Sequence, residues 1–140
     1  MAGRTVFVDT SGWYALLDRR DAGHGTVTAF IQQAVRSGTR LVTTDYILDE
    51  SCTLAKARAG SSMALRLLDL IAGTTALDLE WIDAERFRRA ETHFRKHRDQ
   101  AFSFTDCTSF VVMHQLRLSQ VITSDEHFRI AGFEVLPEDG

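Results

Sequence analysis

The sequence predicts an α/β domain over residues 1–140, built on a five-stranded, mostly parallel sheet with helices on both faces. Three observations predict it. Val6-Phe7-Val8 is a continuous apolar run, the pattern of a parallel strand covered on both sides rather than of a half-exposed one. Short β-branched runs then alternate with longer segments of helical periodicity, the rhythm of strand–helix–strand units. Twice, at Asp9 and at Asp125, an acid flanked by hydroxyls follows an apolar strand and opens a helix. Open α/β sheets place their chemistry at such carboxyl ends of strands.

In chain order, Thr5 to Val8 is the first strand, and it ends on Asp9, Thr10 and Ser11. Gly12 to Leu17 follows as a short helix with Thr10 or Ser11 as N-cap. Residues 24–36 carry Ala29, Phe30, Ile31, Ala34 and Val35 at helical spacing, and Ser37-Gly38 closes them. Leu41 to Thr44 is the second strand. Asp45 caps a helix to Ala59, and Gly60-Ser61-Ser62 turns into another that ends near Ala72. From Ala76 to Ile82, Leu77, Leu79 and Trp81 alternate with Asp78 and Glu80, as in an edge strand. Asp83 caps a charged helix reaching His97, and Thr105 caps a helix from Asp106 to Arg117 that is apolar over most of its circumference. Gln120 to Thr123 is the fourth strand, Glu126 to Ala131 a short helix, and Phe133 to Val135 the fifth strand.

Composition narrows the function classes. The chain has 140 residues, 44% apolar and 25% charged, with one proline and a net charge of −3, so no global basic footprint for nucleic acid exists and any such contact must be local. No apolar run approaches the roughly 20 residues that span a bilayer. The early first strand predicts no signal peptide, and Cys52 and Cys107, isolated from each other, fit a reduced cytoplasmic protein.

Four of the nineteen acids stand where solvated surface charge is not expected. Asp9 and Asp125 follow strands one and four and share a sheet edge if those strands are neighbours, although Asp125 also reads simply as an N-cap. Asp106 opens a buried helix beside Phe102 and Phe104, where the helix dipole favours a carboxylate. Glu50 lies at the margin of the face formed by Ile47, Leu48, Ser51, Cys52, Leu54 and Ala55, while Asp49 points nearly opposite. Clustered carboxylates are costly unless a cation neutralises them. Oxygen ligands without a Cys/His set at zinc spacing favour Mg²⁺ or Mn²⁺, and hence phosphate-ester chemistry.

Val8-Asp9-Thr10-Ser11, Glu50, Phe104-Thr105-Asp106-Cys107 and Thr123-Ser124-Asp125-Glu126-His127-Phe128 with Gly132-Phe133 resemble, in order and spacing, the PIN domain of VapC-type toxin ribonucleases. The resemblance covers almost the whole chain. It implies a metal-dependent endoribonuclease that cuts RNA, forms a homodimer and is silenced by a cognate antitoxin. Asp9 and Asp106 would be the main metal ligands, with Glu50 and Asp125 completing the pocket directly or through water. Thr10, Ser11 and Thr105 would be hydroxyls that orient carboxylates or a bound water. Two positions depart from the pattern: Gly12 replaces a small side chain such as alanine, and Glu126 stands where a basic residue is frequent. The reaction implied is in-line hydrolysis of a phosphodiester by water that the metal activates, with no side-chain nucleophile.

Candidate substrate cations are Arg19, Arg20, Arg95 and Arg98, within a wider basic set at Arg86, Arg88, Arg89, Lys96 and His97 that equally suits a solvated helix end. Trp13 and Tyr14 read as core or dimer contacts before base-stacking residues. His127, near Asp125, could touch phosphate but reads first as a surface residue, Phe128 reads as core that aims Asp125, and Cys107 as an inert buried thiol. A haloacid-dehalogenase-type phosphatase is disfavoured because Ser11 stands where that family has its second aspartate. Other readings are a PIN nuclease of RNA processing without a toxin role, and a non-catalytic interaction module; the presence of all four acids speaks against the latter.

Overall fold

The computed structural model describes residues 3–138. Its elements run β1 (Thr5–Val8), α1 (Thr10–Leu17), α2 (His24–Arg36), β2 (Arg40–Thr44), α3 (Asp45–Ala59), α4 (Ser61–Gly73), β3 (Leu77–Glu80), α5 (Ala84–Lys96), α6 (Phe104–Gln115), β4 (Gln120–Ile122), α7 (Glu126–Ile130) and β5 (Glu134–Leu136). The strands form one sheet in the order β3-β2-β1-β4-β5, parallel at every pairing, with the seven helices covering its two faces. Val6, Phe7 and Val8 in central β1 are fully buried, while β3 at one edge is only partly covered. The continuous apolar run and the alternating run therefore occupy the positions that their patterns predict.

The order of strands places a switch point between β1 and β4. From β1 the chain builds outward to β2 and β3, then returns to the other side of β1 for β4 and β5. The connections leaving β1 and β4 consequently diverge at their carboxyl ends, and the crevice between them is where such sheets bind ligands.

Three helix starts differ from the sequence reading, two of them because a side chain has a tertiary partner. α1 begins at Thr10 with Asp9 as N-cap, since the Thr10 and Ser11 hydroxyls are engaged elsewhere. Thr44, not Asp45, caps α3 by accepting the Ile47 amide, and Asp45 accepts the Ile82 amide across the sheet. Ser103, not Thr105, caps α6 in a reciprocal capping box with Asp106. α6 ends at Gln115, two residues before the reading from sequence, and β5 is shifted one residue on, to Glu134–Leu136. Asp83 does cap α5, through the Arg86 amide.

The core fixes the elements that carry the acids. Phe128 is fully buried against Phe7, Phe110 and Phe133, with ring centroids 6.5, 5.2 and 6.4 Å away, and so anchors the short α7 behind Asp125. Burial of such a ring contributes about 2–3 kcal/mol. Trp13 is buried and donates to the Thr43 hydroxyl at 3.1 Å, which donates to the Val8 carbonyl at 3.0 Å; this ties α1 to β1 and β2 and removes Trp13 from any stacking role. Cys107 is buried and its thiol is pushed up to about 11 by desolvation, as befits an inert packing residue. Among the described residues no helix is long and apolar enough to cross a membrane.

Gly12 is more constrained than its sequence context indicates. A Cβ there would lie 2.7 Å from the Ile122 carbonyl oxygen and 3.0 Å from side-chain atoms of Ile122 and Val8, so only glycine lets α1 approach β4 this closely. Gly12→Ala is expected to cost about 1–3 kcal/mol, as overpacking does, and to lower the thermal midpoint by several degrees. Gly25→Ala in α2, where an added methyl meets nothing within 4 Å, should be neutral or stabilising by about 0.5–1 kcal/mol. Thermal unfolding of the two variants checks this, and an unchanged midpoint for Gly12→Ala would contradict the close α1–β4 contact.

Candidate active site

Asp9 leaves β1 at the switch point with its amide on the Ile122 carbonyl at 3.1 Å, a bond that extends the β1–β4 pairing to the acid itself. Its side chain is buried, and Oδ2 accepts the Thr123 hydroxyl at 2.8 Å. Thr123 Oγ1 in turn accepts the Asp125 amide at 2.9 Å and lies 3.0 Å from Ser11 Oγ, which accepts the Ser124 amide at 2.9 Å. Because a hydroxyl has one proton and Thr123 gives its own to Asp9, Ser11 must be the donor to Thr123. The result is a one-directional chain of donors from the start of α1, through the end of β4, to the carboxylate of Asp9. Ser11 is thereby committed to that chain, with no histidine beside it to make it a nucleophile.

Glu50, on the exposed side of α3, reaches the same place through Thr10, whose hydroxyl donates to Oε1 at 2.6 Å. Asp49 is also exposed, but it has no bond to the acids. Asp106 is buried at the third position of α6, where Oδ2 accepts the Ser103 amide at 3.0 Å. Asp125 caps α7 by accepting the His127 amide on Oδ1 at 2.9 Å. His127 Nδ1 lies 3.0 Å from Asp106 Oδ2 and 3.1 Å from Asp125 Oδ1, so it bridges two of the acids. Ligand atoms of Asp106, Asp125 and His127 all fall within 4.8 Å of one another.

The four acids sense one another. Burial pushes the Asp9 carboxyl up to about 7, and the charges of Asp106 and Glu50 add to the effect. Asp106 is also raised, first by burial and then by Asp125. Negative charge is thus concentrated beyond what the protein itself compensates, on oxygen donors together with one imidazole. That donor set suits a hard divalent cation such as Mg²⁺ or Mn²⁺, and the residues fit such an ion.

An open cleft of about 770 Å³ leads from these acids across α1 and α3; Asp9, Glu50 and Asp125 line it, whereas Asp106 stands behind, joined to Asp125 through His127. None of Arg19, Arg20, Arg95 and Arg98 lines this cleft. Arg20 is held by Asp18 at 3.3 Å and Arg95 by Glu91 at 3.0 Å, while Arg19 and Arg98 are exposed. The guanidinium groups in the cleft belong to Arg58, which lies over the Tyr14 ring 5.2 Å from its centroid, and Arg129, paired with Glu126. Arg129 thereby brings a cation to the edge where Glu126 departs from the usual basic residue. Thr105 is half-buried, and its side chain bonds none of the acids. Sequence reasoning missed Thr123, His127 and Arg58. Arg58 was within reach of the helical wheel, since eight residues separate it from Glu50 on α3 and place it about 80° away.

Known proteins agree with this architecture. A sequence model of the PIN domain matches residues 6–134. The 23S rRNA-specific endonuclease VapC20 of Mycobacterium tuberculosis is 33% identical over 134 residues, covering 95% of this chain and 99% of that protein. A VapC ribonuclease of Archaeoglobus fulgidus is 30% identical over 127 residues, 89% of this chain and 80% of the relative. The crystal structure of Mycobacterium tuberculosis VapC20, described as a toxin that cleaves the sarcin–ricin loop, superposes with a TM-score of 0.83 at 30% identity, over 91% of this chain and 95% of the other. With the match running from β1 into β5 and the likeness to VapC20 nearly end to end, the chain belongs to the PIN domain family and, within it, to the VapC type.

Proposed function

We propose that the protein is a divalent-metal-dependent endoribonuclease of the VapC toxin type, with Asp9 and Asp106 as the main metal ligands and Glu50 and Asp125 completing the site. The observation that supports this reading is that Asp9, Glu50 and Asp125, 41 to 116 residues apart along the chain, line one cleft, with Asp106 close enough to raise Asp9 and be raised by Asp125. A Mg²⁺ or Mn²⁺ ion bound there supplies charge neutralisation and Lewis acidity toward water and the phosphodiester.

The chain's own contribution is orientation and charge. Thr123 and Thr10 each fix one oxygen of Asp9 and Glu50, and the capping interactions fix one oxygen of Asp106 and Asp125. The other oxygen of each carboxylate takes no side-chain hydrogen bond among the described residues and is left for a ligand. RNA lies along the cleft, where Arg58, stacked on Tyr14 and without a carboxylate partner among the described residues, meets a backbone phosphate. The first RNA to test is 23S rRNA, the named target of VapC20. The toxin reading also brings a cognate antitoxin as inhibitory partner and a homodimer as the working assembly. The free thiols of Cys52 and Cys107 suit the reducing cytoplasm.

Two expectations follow from this site. Purified protein incubated with ribosomal RNA and Mg²⁺ or Mn²⁺ should yield discrete fragments, abolished by chelation and reduced at least about 100-fold in Asp9→Asn and Asp106→Asn. Equal cutting by wild type and Asp9→Asn, or no cutting with either metal, would overturn the assignment.

The second concerns stability in the metal-free state. The Asp9 carboxyl stands at about 7 in the folded chain against an ordinary 3.8, so between those values the folded protein holds a proton that the unfolded chain has released. Stability therefore falls as pH rises through this window, with Asp106 acting in the same direction. In chelator, Asp9→Asn should match wild type near the bottom of the window and exceed it progressively toward pH 8, by about 4 kcal/mol at most. Denaturant unfolding across that range measures the difference; a pH-independent gap would contradict the burial cost assigned to Asp9.

A further inference from the structure

We propose that His127 is a positioning residue whose Nδ1 clamps Asp106 to Asp125 and turns the second oxygen of each toward a shared cation. This inference rests on the reading of the four acids as a cation site. Nδ1 lies 3.0 Å from Asp106 Oδ2, a hydrogen bond in which the nitrogen donates and the carboxylate accepts, and 3.1 Å from Asp125 Oδ1, a close polar contact outside hydrogen-bond geometry. The two oxygens it touches are the ones already spent on helix starts, Asp106 Oδ2 on the Ser103 amide and Asp125 Oδ1 on the His127 amide. Asp106 Oδ1 and Asp125 Oδ2 take no hydrogen bond among the described residues, so every constraint acts on one side of each carboxylate and the other side is left for a ligand.

The ring is itself held in place. Its neighbour Phe128 is fully buried, its own amide is fixed at the first turn of α7, and the edge of Phe102 meets it with centroids 5.9 Å apart. α6 and α7 are thus locked to each other at the point where their two acids meet. Without that donor, two carboxylates on separate helices would face each other across a gap and turn apart. The proposal assigns His127 an orienting contact, not direct coordination, because its Nδ1 is already committed to Asp106.

Calorimetric titration of the full chain with Mn²⁺ tests this, using His127→Asn, whose amide nitrogen can stand where Nδ1 stands, and His127→Gln, whose amide reaches toward the Nε2 position. His127→Ala and His127→Gln should weaken Mn²⁺ binding by about 10- to 100-fold, the usual effect of losing an orienting partner, while His127→Asn stays within about threefold of wild type. Saturating Mn²⁺ should restore most RNA cleavage to His127→Ala, since the ligands themselves remain. The proposal is overturned if His127→Ala binds Mn²⁺ as tightly as wild type. It is equally overturned if His127→Gln retains affinity and His127→Asn loses it, which would make Nε2 the acting atom. Should His127→Ala fail to fold, the Asn–Gln contrast decides alone. Absence of Mn²⁺ binding by wild type would instead remove the cation site, and this inference with it.

Discussion

Four carboxylates held around one crevice repel one another, and the whole arrangement depends on how that repulsion is contained. Each acid gives one oxygen to the scaffold: Asp9 to Thr123, Glu50 to Thr10, Asp106 to the start of α6 and Asp125 to the start of α7. Burial first, and then the charges of Asp106 and Glu50, raise the Asp9 carboxyl, so these bonds do not offset the cost of a buried charge. They fix its direction. A fold that spends stability on burying and clustering acids where the sheet order reverses offers a site suited to a cation, in keeping with the trade between stability and function at sites of this sort.

The parallel sheet makes the arrangement possible because all its strands present their carboxyl ends to one side. Asp9 and the Thr123–Asp125 turn are brought together by β1–β4 pairing, in which Val8 registers with Ile122. Gly12 then allows α1 to settle against Ile122 without displacing that carbonyl, which also receives the Asp9 amide. A single methyl group at residue 12 would therefore be felt at the acid three positions earlier. The buried Phe128 does the same service for α7 from the core side.

Much of this was legible in the sequence, and the pattern of what was not is physical. Strand identity and order of elements followed from apolar runs and alternation, because burial on two faces or one writes itself directly into residue type. The four acids stood out in the sequence because each falls just beyond a strand or at a helix margin. Helix starts were misread at α1, α3 and α6 because several hydroxyls and acids compete to be the cap, and at α1 and α3 the winner depends on which of them a distant residue has already claimed. Thr10 is claimed by Glu50 and Asp45 by Ile82. His127 was read as surface because nothing local reveals that Asp106, on another helix, lies 3.0 Å from its ring. Arg95 and the cations around it fell away from the cleft for a similar reason, since charge density along α5 says nothing about which side of the molecule α5 occupies.

The central claim is that oxygens of Asp9, Glu50, Asp106 and Asp125 serve one divalent ion. The most direct test is a crystal structure grown with Mn²⁺, with the ion located by its anomalous scattering. The expected result is a peak in the crevice between β1 and β4, with oxygens of Asp9 and Asp106 at about 2.0–2.2 Å and Glu50 and Asp125 reached directly or through water. A peak held only by surface acids, or none at millimolar Mn²⁺ with Asp9 ionised, would contradict it.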